Sequence, residues 1–259
     1  RLPRQLRPAD LFLLLSAVPI LFMLALAPET FGLSWAGFGK LGRGALLFAL
    51  FFLVLEWMEF RKRAIPNLSR TRKIAATILV TVALFYFGGV AAIGQFTDAI
   101  YGVGRALGAS GEVSNSWLMA TDYLALVVYI VALAIVFFGA RAFRATLTAV
   151  VFSVGMLGMY LLDAFFPYGS IGPLQFWANF IVAGVGLLSK AFGLPIFGFG
   201  NNLTILGKHG TFRLVVYWPS VGVHSMLIYS LVVVLLAVEL AAPWRRKMVY
   251  VIAGVAGTV

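Results

Sequence analysis

Long apolar runs separated by short polar connections set the pattern of this chain. Runs near 11–27, 42–58, 74–94, 123–139, 145–166 and 220–241 each approach the roughly 20 residues a helix needs to cross a hydrocarbon core. A further run starts at Met248. The stretch Phe176–Phe192 is also apolar, but Pro173 and Pro195 bracket it, and Asn179 and Lys190 interrupt it. Beyond it the pattern changes. Leu203-Thr204-Ile205-Leu206 and Thr211-Phe212-Arg213-Leu214-Val215-Val216-Tyr217 are β-prone, and Gly207-Lys208-His209-Gly210 between them reads as a turn. The pattern predicts an all-α integral membrane protein. It would hold about seven transmembrane helices, a re-entrant or interfacial helix and a short external β-hairpin, in a single polytopic domain over 1–259.

Charge orients the spans. Arg1, Arg4 and Arg7 precede the first, and Arg61, Lys62, Arg63, Arg70, Arg72 and Lys73 fill the connection after the second. Arg141 and Arg144 follow the fourth, and Arg245, Arg246 and Lys247 follow the run that starts at Ser220. All of these fall on one side if the N-terminus is cytoplasmic, which is the positive-inside arrangement. Lys40, Arg43, Arg105, Lys190, Lys208 and Arg213 fall on the other side, mixed with acids. Parity then requires 167–219 to begin and end outside, so Phe176–Phe192 is not a single crossing. An interfacial helix, re-entrant helix or pair of crossings satisfies it, and an interfacial helix best suits its prolines and polar residues. The expected location is a prokaryotic plasma membrane.

Composition agrees. Hydrophobic residues make up 62% of the 259 and charged residues 11%, against roughly a quarter charged in soluble domains. The net charge of +11 sits in clusters beside apolar runs, which argues against a nucleic-acid face. With no cysteine there is no disulfide or thiolate metal site, and the two histidines show no metal-binding spacing. No metal or cofactor is expected. The N-terminus imitates a signal peptide, with Ala25-Leu26-Ala27 as a cleavage-like triplet, but Pro28 would block the cut. The first span therefore reads as retained. A start at Arg1 and a last run interrupted at Val259 read as part of a longer chain.

Candidate chemistry concentrates at Trp218-Pro219-Ser220-Val221-Gly222-Val223-His224-Ser225. Ser220, after a proline at the head of an apolar helix, fits an ordinary N-cap. The same place suits a nucleophile, because free backbone N–H groups and the helix dipole favour developing negative charge. His224 lies one helical turn on and can act as base or substrate contact, or bond between helices. Gly222 and Ser225 have the small-residue spacing of close helix packing. Asp163, at the outer end of its span, can pair with Arg213 or meet a substrate. Glu56, Glu59 and Glu239 lie beside basic clusters, where charge pairing accounts for them. No relation between two halves of the chain favours a transporter.

The eight-residue run resembles the W-P-C-A-G-x-x-S or A-C-S-G-x-x-S signature of the archaeosortase/exosortase family. Tyr160-Leu161-Leu162-Asp163, Pro167-Tyr168-Gly169 and Pro173-Leu174-Gln175 are similar to the Y-x-x-D, P-Y-G and P-L-Q elements of archaeal members, the thaumarchaeosortase type in particular. The likeness covers about 160–259. It departs at Ser220, where the family carries cysteine, and at His224, often arginine or glutamine there. The family's later basic partners would fall beyond Val259. The resemblance implies a membrane-embedded peptidase or transpeptidase that cleaves C-terminal sorting signals of exported proteins. Ser220 would be the nucleophile and His224 its partner, with Trp218, Gly222, Asp163 and Arg213 near the substrate. Its partners would be tagged exported proteins, membrane lipids and a lipid-linked acceptor, with no nucleic acid. A catalytically inactive relative that binds a helix, or serves as a structural subunit of a membrane complex, is the alternative.

Overall fold

Every long apolar run folds as a helix. The computed structural model describes residues 7–32, 42–61, 68–109, 114–139, 142–166, 175–208, 210–217, 223–240 and 242–256. In chain order these form α1 (Pro8–Leu26), α2 (Leu46–Phe60), α3 (Arg70–Ala92), α4 (Gly94–Ala106), α5 (Ser114–Phe138), α6 (Ala142–Ala145) and α7 (Leu147–Phe165). There follow α8 (Gln175–Ala191), β1 (Ile196–Phe199), β2 (Asn202–Gly207), β3 (Gly210–Val215), α9 (Val223–Glu239) and α10 (Trp244–Ala256). Among the described residues four helices, α1, α3, α5 and α7, are long and apolar enough to cross a membrane. Helix α2 has 15 residues and α9 has 17, short of the usual span. The chain divides into two compact units, Arg1–Ala164 and Phe165–Val259.

In the first unit α1 packs against α2, α3 and α5. Aromatic rings fill the seams: Phe12 meets Phe138 edge-on at 4.9 Å, and Phe52 meets Phe152 of α7 at 5.2 Å. The outer surface of α3 is apolar, with Ile74, Ile78, Val82 and Phe85 exposed at helical spacing. In water such a stripe would be a liability; against acyl chains it is the ordinary surface of a spanning helix. At one end of the bundle Arg7 donates to the Arg61 carbonyl at 3.3 Å, and Asp10 takes Trp57 Nε1 at 3.0 Å. The Arg61 guanidinium stacks 4.9 Å above the Trp57 ring, an aromatic and cationic grouping that suits a headgroup layer.

Pro19 lies inside α1. Having no N–H, it cannot bond the Leu15 carbonyl one turn earlier. Tyr129 of α5 repairs the gap, its hydroxyl donating to that carbonyl at 2.7 Å. In a bilayer an orphaned carbonyl has no water to turn to. Tyr129→Phe is accordingly expected to lower stability by about 1–3 kcal/mol, read as a lower unfolding midpoint in detergent.

Two elements were not legible in the runs. Helix α4 contains Gly94, Gly102 and Gly104, which weaken the helical signal. It docks because Trp117 lies over Gly104 and donates its indole N–H to the Ile100 carbonyl at 2.9 Å. Strand β1 adds a third strand to the expected hairpin and makes an antiparallel sheet ordered β1-β2-β3. It exists because α8 covers it. Gly186 and Gly198 let helix and strand backbones meet, and a Cβ on Gly198 would collide with the Val182 carbonyl oxygen. Gly198→Ala is expected to push α8 off the sheet at about 1–3 kcal/mol, checked by the thermal midpoint of the purified protein.

The expected hairpin itself is present, with Leu203 opposite Leu214 and Gly207 opposite Gly210. Helices α9 and α10 form a close pair, in which Gly254 faces Val233.

Candidate functional site

The richest buried polar group among the described residues lies in the first unit. Arg43 stands in a short 3-10 turn, Arg43–Ala45, that leads into α2. Its Nε donates to Asp122 Oδ2 of α5 at 3.0 Å, with the arginine 1% and the aspartate 0% exposed. The other carboxylate oxygen accepts from the Tyr86 hydroxyl of α3 at 3.2 Å. Arg43 Nη1 donates to Thr30 Oγ1 at 3.3 Å, and that hydroxyl donates to the Ala27 carbonyl at 2.7 Å. One ion pair thus ties the end of α1, the start of α2, α3 and α5. Burying both charges together keeps their attraction strong, and the side hydrogen bonds offset part of the desolvation cost. Arg43 Nη2 is buried and has no partner among the described residues.

The polar series continues along α5. Tyr123, next to Asp122, stacks on Tyr160 of α7 with ring centroids 5.8 Å apart. One turn beyond Tyr160, the buried Asp163 accepts a hydrogen bond from the Ser116 hydroxyl. Buried polar side chains on α5 thus stand at both ends of an apolar stretch, Ser116 before it and Asp122 and Tyr123 after it. At the opposite end of α7, buried Glu56 of α2 accepts from the backbone N–H of Thr148 at 2.5 Å. A carboxylate there satisfies a first-turn donor and meets the positive end of the helix dipole, a role the charge pattern did not reveal.

The residues singled out from sequence divide as follows. Trp218, Ser220 and Gly222 lie outside the described residues, as do Pro167-Tyr168-Gly169 and His209. His224 is the second residue of α9. Asp163 belongs to the first unit and Arg213, on β3 opposite Thr204, to the second. Gln175 of the P-L-Q element ties the start of α8 to the sheet, its side-chain amide donating to the Val216 carbonyl at 3.1 Å. This bond, with Val216 packed on Ala178 and Val182, fixes the chain four residues before Ser220.

Asp122 escaped the sequence reading for a physical reason. A span beginning at 123 leaves Asp122 in a connection, whereas α5 begins at Ser114 and carries it into the helix. Trp117-Leu118-Met119-Ala120 was the available signal, a run apolar enough to extend the helix by two turns. Arg43 was legible only as a cation on the less basic side.

Taken together, the four spanning-length helices among the described residues, three of them tied with the start of α2 by a buried ionic centre, define a helical bundle suited to a bilayer. No family model, curated protein or solved structure matches this chain.

Proposed function

We propose that this protein is a membrane-embedded protein-sorting peptidase or transpeptidase, with Ser220 at the nucleophile position. The observation that carries the reading is the run Trp218–Ser225, which leads directly into an apolar helix, α9. In this reading the Ser220 hydroxyl attacks the scissile carbonyl of a C-terminal sorting signal, and His224 takes the hydroxyl proton. The oxyanion meets backbone N–H groups at the head of α9. The C–N bond breaks, and His224 returns the proton to the departing amine. Water or a lipid-linked nucleophile then resolves the ester.

In the same reading the chain crosses the plasma membrane of a prokaryote about seven times. Its N-terminus is cytoplasmic and the site lies near the outer face, with α8 interfacial. The cytoplasmic cations would repel a basic tail on the substrate, so its helix must dock by apolar packing. Within the first unit an open cavity of about 350 Å³ between α3 and α5 has an apolar lining, with Val82, Ala83, Leu124 and Val128 among its residues.

The test is co-expression with an exported reporter ending in a short motif, one apolar helix and a basic tail. Mass spectrometry should find the reporter shortened before the helix. An intact reporter bound to the protein would favour the second reading, a catalytically inactive relative that holds a helix as a subunit of a membrane complex. In that reading the Arg43–Asp122 pair serves only to hold helices of the first unit together.

A further inference from the structure

Strand β3 is the edge of its sheet, and among the described residues no strand pairs with its outer side. All six of its residues are exposed. Its hydrogen-bonding phase follows from one contact. Val216 N–H donates to the Asn201 carbonyl at 2.7 Å, so alternate residues 214 and 212 also bond inward to β2. The N–H and C=O groups of Thr211, Arg213 and Val215 therefore point outward, away from β2.

Three further observations describe what this edge would accept. Phe212 and Leu214 share the sheet face that α8 covers over β1 and β2, yet they are 64% and 55% exposed, beyond the helix. Between Ile196 and Tyr217 the charged residues are Lys208 and Arg213, both cationic. And Ser220 is only five residues past Val215, at most about 18 Å along an extended chain.

From this we infer that β3 binds an extended peptide by strand addition, with an acidic peptide residue against Arg213. Backbone hydrogen bonds from Thr211, Arg213 and Val215 supply affinity, and Phe212 and Leu214 receive alternate apolar side chains. The inference rests on the peptidase reading for its substrate: the peptide is the non-helical part of the sorting signal, held within a few residues of the bond to be cut. Edges are normally blunted by charge, proline, a bulge or a cover; β3 carries a single charge, Arg213, no proline, and all six of its residues are exposed. Six exposed residues, three of them with outward backbone groups, fit a docking strand.

The experiment uses the full chain as Ser220→Ala, in nanodiscs of zwitterionic lipid, so that bound peptide stays intact. The probe is a fluorescent octapeptide of alternating valine and threonine with two glutamates, followed by anisotropy. Saturable binding is expected. N-methylation of the peptide amides that face β3 should weaken it about tenfold, the cost of losing backbone hydrogen bonds. Val215→Pro should do the same, since it removes an outward N–H and leaves the β2 pairing intact. Arg213→Gln should weaken the glutamate peptide and leave its glutamine counterpart unchanged.

Absence of saturable binding, or binding indifferent to N-methylation, overturns the inference, and the peptide arm needs no protein variant that could misfold. Phe212→Trp fluorescence quenched by brominated acyl chains would put this edge in lipid and overturn it as well. Reporter cleavage that survives Val215→Pro with unchanged KM sinks strand addition and leaves the peptidase reading standing. Peptide binding without any reporter cleavage does the reverse.

Discussion

Asp122→Ala is expected to destabilise the first unit by about 3–5 kcal/mol, because it strands a buried guanidinium without its counter-charge. The guanidinium has no exit. Arg43 is 1% exposed, and its remaining bond to Thr30 is a neutral one. Arg43→Ala should cost a similar amount by leaving the carboxylate with only the Tyr86 hydroxyl. The double replacement Arg43→Met with Asp122→Leu should recover most of the loss, since it removes both desolvation costs and keeps the volume. With Arg43→Met and Asp122→Leu also made singly, unfolding midpoints of the unchanged protein, these two singles and the double in one detergent form a double-mutant cycle that reads the coupling directly. Single variants that each lose little, with no recovery in the double, would show that the pair is solvated and does not hold the bundle together.

How far the sequence carried depends on how each element is stabilised. Helices α1, α3, α5 and α7 announce themselves because an apolar helix in a bilayer satisfies every backbone group internally, so hydropathy and length suffice. The hairpin of β2 and β3 was legible from β-prone residues around a glycine-bounded turn, and its register follows. Strand β1 was not, because its β-prone Ile196, Phe197 and Phe199 form a run of only four residues, with Gly198 inside it and Pro195 and Gly200 at its ends. They need α8 against them, and the contact of Gly186 with Gly198 is a tertiary fact. Helix α4 depends in the same way on Trp117 lying over Gly104.

The candidate site divides along similar lines. The run around Ser220 is local in sequence, so it could be read without a fold, although its residues up to Gly222 lie outside those described. The Arg43–Asp122 pair is separated by 79 positions and leaves no local pattern. Only the true start of α5 at Ser114, two turns ahead of the expected span, brings Asp122 inside the bundle. Gln175 belonged to a motif, but its bond to Val216 appears only once α8 lies on the sheet.

The second large effect concerns chemistry. Ser220→Ala is expected to reduce cleavage of a tagged reporter by about a thousandfold or more, the usual consequence of deleting a nucleophile. A serine hydroxyl is scarcely ionised at neutral pH and depends on a base. His224→Ala should therefore fall nearly as far, and the double variant no further, because the two act as one unit. Each protein must also appear in the membrane at normal abundance, so that loss of cleavage is not loss of protein.

The most direct measurement compares the protein with Ser220→Ala and Ser220→Cys on one reporter in isolated membranes, by mass spectrometry of the released product. The peptidase reading predicts cleavage by the serine protein and none by Ser220→Ala, with the new C-terminus lying just before the reporter's apolar helix. Cleavage that persists in Ser220→Ala, or a reporter that stays intact with the serine protein while remaining bound to it, would contradict that reading.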